Sequence, residues 1–121
     1  MNRNFISVFI RAINNKLFSL KGRANRKEYV IFYVFECVVF TPFLILEKNN
    51  GMTPLLIIIL GICVLVHVFA HTSLLVRRLH DLNFSGWWFF LSLIFSPVVF
   101  LILCFIKGNK DNNKYGEPPK G

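Results

Sequence analysis

Residues 28–46 read EYVIFYVFECVVFTPFLIL, and residues 52–76 read MTPLLIIILGICVLVHVFAHTSLLV. Neither stretch shows the period-2 alternation of a half-buried strand or the short amphipathic period of a soluble helix. The first holds 19 residues. As an α-helix it rises about 28 Å, close to the roughly 30 Å hydrocarbon thickness of a bilayer. The second holds 25 residues and must tilt or project beyond that thickness. Between them EKNNG, residues 47–51, is a short polar turn. The predicted frame is a hairpin of two membrane-crossing helices.

A third apolar stretch, residues 87–106 (WWFFLSLIFSPVVFLILCFI), opens on two Trp suited to a membrane interface and is interrupted by Ser96-Pro97. It either crosses with a kink or enters and returns. The cations bear on this choice. Seven precede the first run (Arg3, Arg11, Lys16, Lys21, Arg23, Arg26, Lys27), Lys48 lies in the first turn, Arg77 and Arg78 open the second loop, and Lys107, Lys110, Lys114 and Lys120 follow the third run. Retention of positive charge on the cytoplasmic side predicts a cytoplasmic amino terminus. A returning third segment then leaves thirteen cations inside and one outside, whereas a crossing segment leaves nine and five. Length favours crossing, because each limb of a returning hairpin spans only about 15 Å and a bend within lipid needs protein cover.

The whole predicts an all-α membrane protein. Residues 1–27 form a basic amphipathic segment in which Ile6, Phe9, Ile10, Ile13, Leu17 and Leu20 recur at helical spacing, as in a helix lying in the membrane interface. Residues 28–106 form the helical membrane domain, and residues 107–121 a polar, turn-rich tail. Arg11 and Lys16 interrupt the early apolar residues and no small-residue cleavage site follows, so the first span is expected to be retained. The composition, 55% hydrophobic and 17% charged, excludes an ordinary soluble domain. The net charge of +8 flanks apolar runs instead of interleaving with stacking aromatics, which argues against nucleic acid as a partner. Cys37, Cys63 and Cys104 fall singly in three apolar runs and read as apolar fillers, without a disulfide framework.

Three polar strings stand out: FSLKGRANRKEY at 18–29, RRLHDLNFSGWW at 77–88 and GNKDNNKYGEP at 108–118. On them the chain resembles the domain of unknown function 805 family, small bacterial inner-membrane proteins, over residues 18–118. The resemblance implies a helical fold in the bacterial inner membrane and implies no activity. Val30 stands where the family more often has an aromatic residue.

Read from their own chemistry, Gly22, Arg23 and Arg26 precede the first span among cations that attract anionic headgroups by about 1 kcal/mol each. Anchoring to lipid is one role. Clamping a single phosphate with the arginine fork is another. Arg77, Arg78, His80 and Asp81 sit where the second span ends, level with Glu28, and opposite charges at one depth should pair. A continuous helix makes Arg77 and Asp81 an i,i+4 pair, and Asp81 a possible cap for the following turn. Ser85, Gly86 and Trp87 form the turn beyond. His80 beside Asp81 invites a catalytic reading, but adjacent helical residues diverge by about 100°. No nucleophile is fixed beside them, so a non-enzymatic structural or lipid-binding cluster is favoured.

Within the bilayer, Glu36 and His67 lie at matching depths of about 12 and 13.5 Å from the inner ends of their helices, with His71 one turn from His67. Intramembrane ionisable groups mark functional candidates. Three uses remain open: hydrogen-bonded glue for the hairpin, a proton or ion path along a polar stripe from His67 through His71 to Arg78, and metal ligation, for which no third protein ligand is fixed by spacing. No cofactor or metal is expected. Expected partners are membrane lipids, chiefly anionic, with other membrane proteins or self-association as further options. The leading expectation is a non-enzymatic interaction or lipid-binding protein, and the alternative is a small oligomeric ion or proton channel using Glu36 and His67.

Overall fold

The computed structural model describes Ile10 and residues 18–119. The predicted interfacial helix therefore lies largely outside the described residues. The order is α1 (Arg26–Lys48), α2 (Pro54–Asp81), a single 3₁₀ turn η1 (Gly86–Trp88), α3 (Phe89–Ile94) and α4 (Ser96–Phe105), with no strand among the described residues. Helix boundaries follow local chemistry. The Asn25 side chain accepts a hydrogen bond from the Glu28 backbone N–H at 2.8 Å, and Thr53 does the same for Leu56 at 3.3 Å, with Pro54 next to it where no N–H is needed. At the other ends Asn50 and Asn83 adopt left-handed φ angles of 53° and 63°. Each lets the next N–H turn back, Gly51 to the Leu46 carbonyl at 2.7 Å and Phe84 to the Leu79 carbonyl at 2.9 Å.

The outer faces of α1 and α2 are open and apolar, including Val34, Val38, Leu44, Leu55, Ile58, Ile62, Leu65 and Phe69. Two helices of 23 and 28 residues with such surfaces have the length and composition to cross a membrane, and contiguous apolar area on this scale calls for lipid contact. Buried residues concentrate at one end of the pair: Ala24, Tyr29, Phe32, Ala70, Leu74, Leu75, Leu79 and Leu103 form the core.

The third hydrophobic segment folds back, so that both its ends lie at the same end of the helix pair. Its start is held against the last turns of α2, where a side chain on Gly86 would meet Val76 and His80. Its end lies beside the same turns, with Arg78 donating to the Leu103 carbonyl at 3.0 Å and Arg26 to the Phe105 carbonyl at 3.3 Å. Phe100 packs on Tyr29 and Tyr33, so α4 runs antiparallel along the first half of α1. Limbs of six and ten residues rise about 9 and 15 Å, enough for half a bilayer. The break falls at Phe95, just before Ser96-Pro97. Phe95 donates to Leu91, Val99 donates to Phe95, and Pro97 has no N–H to satisfy.

Candidate functional site

At the packed end four chain segments meet around one carboxylate. Asp81 closes α2, and its side chain lies between two guanidinium groups. Arg23 Nε donates to Oδ1 at 2.9 Å, with Nη2 also 2.9 Å from that oxygen, and Arg78 Nη1 donates to Oδ2. Both arginines spend their remaining donors on carbonyls. Arg23 reaches Asp111 at 2.9 Å, Gly116 at 3.2 Å and Asn109, while Arg78 takes Leu103, Ile106 and, at 3.5 Å, Ala24. Arg78 thereby serves the orphan carbonyls at the end of α4, where positive charge is also favoured by the helix dipole. Backbone bonds lock the same segments together, from Ala24 N to the Arg77 carbonyl at 3.0 Å and from Asn109 N to the Asp81 carbonyl at 2.9 Å.

Arg77 points elsewhere. It is 1% exposed, and its Nη1 lies 3.8 Å from Glu28 Oε2. Among the described residues its Nε and Nη1 make no hydrogen bond. The expected Arg77–Asp81 pair is thus replaced by Arg78–Asp81 at i,i+3 and by the long-range Arg23–Asp81 pair. The helix does run through to Asp81, but residues three apart face each other as readily as residues four apart, and Arg23 arrives from another segment. Asp81 caps no following turn with its side chain; its oxygens are taken by arginines.

The His-Asp dyad does not form either. His80 Nδ1 lies 3.2 Å from the carbonyl of Gly22, whose left-handed φ of 87° suits glycine, and the imidazole stacks on Tyr115 at 3.7 Å and 7°. Ser85 caps the η1 turn by accepting from Trp87 N at 3.4 Å. Trp87 itself is 77% exposed and stacks on Phe90, outside the charge cluster. Arg26 is exposed and, among the described residues, donates to the Phe105 carbonyl at the edge of the cluster.

Of the two arginines read as phosphate-clamp candidates, Arg26 is exposed, whereas Arg23 is turned inward, as is Arg78. Arg23 is 3% and Arg78 0% exposed, and their donors are occupied within the chain. The string at 108–118 stands out in the sequence only through the family resemblance, with no role for its residues in the cluster. Gly108, Asn109, Asp111, Tyr115 and Gly116 belong to a tail read as a separate polar segment, yet they contribute carbonyls, a ring and one close approach to Asp81. Carbonyls are common to every residue, so composition carries no sign of their use. Gly108 is the exception: a Cβ there would overlap the Asp81 carboxylate.

A second polar cluster lies within the apolar part. Glu36 Oε1 is 2.9 Å from His67 Nδ1 and 3.4 Å from His71 Nδ1. It adjoins a cavity of about 440 Å³ between α1, α2 and the returning segment. Sequence depth correctly matched Glu36 with His67; the structure adds His71 to the same oxygen. The polar stripe toward Arg78 is interrupted, because buried Leu74 and Leu75 lie between and Arg78 turns to Asp81.

A family model described as a protein of unknown function, DUF805, matches residues 17–117. The chain is 33% identical over 103 residues to the Escherichia coli K12 inner membrane protein YhaI, covering 82% of this chain and 84% of the relative. It is 31% identical over 120 residues to the inner membrane protein YhaH of the same strain, covering 93% and 95%. The uncharacterized protein YiiR, also from that strain, is 26% identical over 132 residues, covering 87% and 88%. No solved structure matches. With the helical architecture and the lipid-suited surfaces of α1 and α2, these matches establish that the chain is a membrane protein belonging to the DUF805 family.

Proposed function

We propose that this protein is a non-enzymatic, multi-pass inner-membrane protein that gathers anionic lipid on a cationic cytoplasmic face built from both ends of the chain. The supporting observation is the return of the third segment. It carries Lys107, Lys110 and Lys114 back to the end where Lys21, Arg26 and Lys27 already stand, and all six are exposed. With Arg23 and Arg78 turned inward, the outward charge falls to these flexible side chains. Each is worth about 1 kcal/mol against an anionic leaflet. Arg26 and Lys27 also border a groove of about 300 Å³ whose other walls are Val30, Ile31 and Cys104, a charged rim above apolar sides that suits a headgroup and the start of its acyl chain.

Two results are expected. In the first, single cysteines placed at Lys27 and Lys110 are both protected from an impermeant thiol reagent added outside intact cells, and a cysteine at Asn50 is labelled, in a background with Cys37, Cys63 and Cys104 replaced by serine. Labelling of position 110 together with position 50 would mean that the third segment crosses. The second uses Trp87 and Trp88, the chain's two tryptophans, as reporters in vesicles. Their fluorescence should be quenched more efficiently by brominated phosphatidylglycerol than by brominated phosphatidylcholine, and Lys107→Gln, Lys110→Gln and Lys114→Gln together should bring the two lipids toward parity. Equal quenching by both lipids in the unaltered protein would remove the lipid reading.

A further inference from the structure

The Glu36 cluster has the donor set and spacing of a metal site. Zinc-class ions bind imidazole nitrogen and carboxylate oxygen at about 2.0–2.2 Å, which in a tetrahedron sets neighbouring donor atoms about 3.3 Å apart. Here one carboxylate oxygen stands 2.9 and 3.4 Å from two imidazole nitrogens, and the three donor atoms all lie within 4.8 Å of one another. Both rings turn the same nitrogen, Nδ1, toward the carboxylate.

Their orientation is braced by aromatic edges. Phe40 meets His67 at 5.1 Å and 79°, and Tyr33 meets His71 at 5.4 Å and 71°. α2 supplies the two histidines one turn apart and α1 supplies the glutamate, so the site also ties the spans together. Two imidazoles and one carboxylate suit zinc and its neighbours, whereas magnesium and calcium need more oxygen. A fourth position is open to the cavity, whose wall includes Thr72, Ser92 and Ser96. A water or an anionic ligand has room there, and an anion would offset the charge left by a dication against one carboxylate in a low-dielectric setting.

We infer that Glu36, His67 and His71 bind one divalent transition-metal ion of the zinc class, with its fourth coordination position facing the cavity beside the returning segment. The site lies away from the cationic face and does not depend on the lipid reading.

The test uses the full-length chain in mild detergent, with any histidine tag removed, stripped with chelator and titrated with Zn²⁺ and with Co²⁺. One ion per chain is expected, and the cobalt form should show the visible bands of a four-coordinate site with nitrogen and oxygen ligands. Loss of an outer partner of a metal ligand already weakens binding about 10–100-fold, so His67→Gln, His71→Gln and Glu36→Gln should each weaken it by at least about 100-fold. His80→Gln and Cys104→Ser should leave it unchanged.

Failure of the unaltered protein to retain an ion at micromolar free metal would overturn the assignment and leave Glu36 as a hydrogen-bonded tie. Unchanged affinity in a folded His67→Gln or His71→Gln protein would also overturn it. If those variants do not fold, the cobalt spectrum of the unaltered chain decides, because intense thiolate charge-transfer bands would place the ion on cysteine.

Discussion

Asp81→Asn is expected to destabilise the protein by about 3–5 kcal/mol, the usual cost of removing one member of a buried ion pair and leaving its partner uncompensated. Asp81 is 3% exposed and faces two guanidinium groups, so the substitution leaves both without a counter-charge. Asparagine keeps one acceptor but turns an NH₂ toward a second set of donors. A net stability of about 5–15 kcal/mol is typical of folded domains, and a loss of this size should show as reduced folded yield and a lower melting temperature in detergent. The effect should be less than additive with Arg23→Gln, which removes one of the same contacts, and nearer additive with Glu28→Gln, which acts on the separate Arg77 pair. An Asp81→Asn protein of unaltered stability that had lost only its cellular role would move the cluster from structure to binding or chemistry.

Gly108→Ala should be nearly as damaging, although it adds only a methyl group. That methyl would overlap the carboxylate of Asp81, and the Asn109 N–H that follows is bonded to the Asp81 carbonyl, so the loop cannot simply lift away. Overpacking in a filled site costs about 1–3 kcal/mol, and displacing the carboxylate from its arginines adds part of the ion-pair loss. Gly61→Ala provides the contrast. Nothing lies within 4 Å of the added atom there, and alanine favours a helix over glycine by about 0.8–1 kcal/mol, so its melting temperature should be equal or higher. Asp81→Ala in the Gly108→Ala background should cost much less than Asp81→Ala alone, because the clash has gone with the carboxylate. Equal melting temperatures for Gly108→Ala and the unaltered chain would show that the tail does not seat against Asp81.

What the two variants probe is an inside-out arrangement of charge. A membrane protein of this size has little apolar core of its own, since most of its apolar surface faces lipid and gains nothing from being packed away from it. Its tertiary order is held by a few buried polar contacts at one end, where four segments share two arginines and one aspartate. The cost of burying these ions is met only because nearly every donor on Arg23 and Arg78 finds an oxygen.

The sequence by itself determined the two long apolar helices, their turn and the interruption at Ser96-Pro97. These depend on local quantities, the length of an apolar run and the chemistry of capping residues, which any stretch of chain displays without its neighbours. It also determined the Glu36–His67 pairing, because rise per residue converts position into depth within a bilayer. Only the tertiary structure decided that the third segment returns, since charge and length pointed opposite ways and the answer lay in Arg26 and Arg78 meeting carbonyls at its far end. It likewise decided that Asp81 pairs with Arg23 across 58 residues instead of with Arg77 on its own helix. The physical reason is the same in both cases. Backbone carbonyls and long-range ion pairs have no signature in residue type or spacing, and they acquire partners only once separate segments are brought to one place.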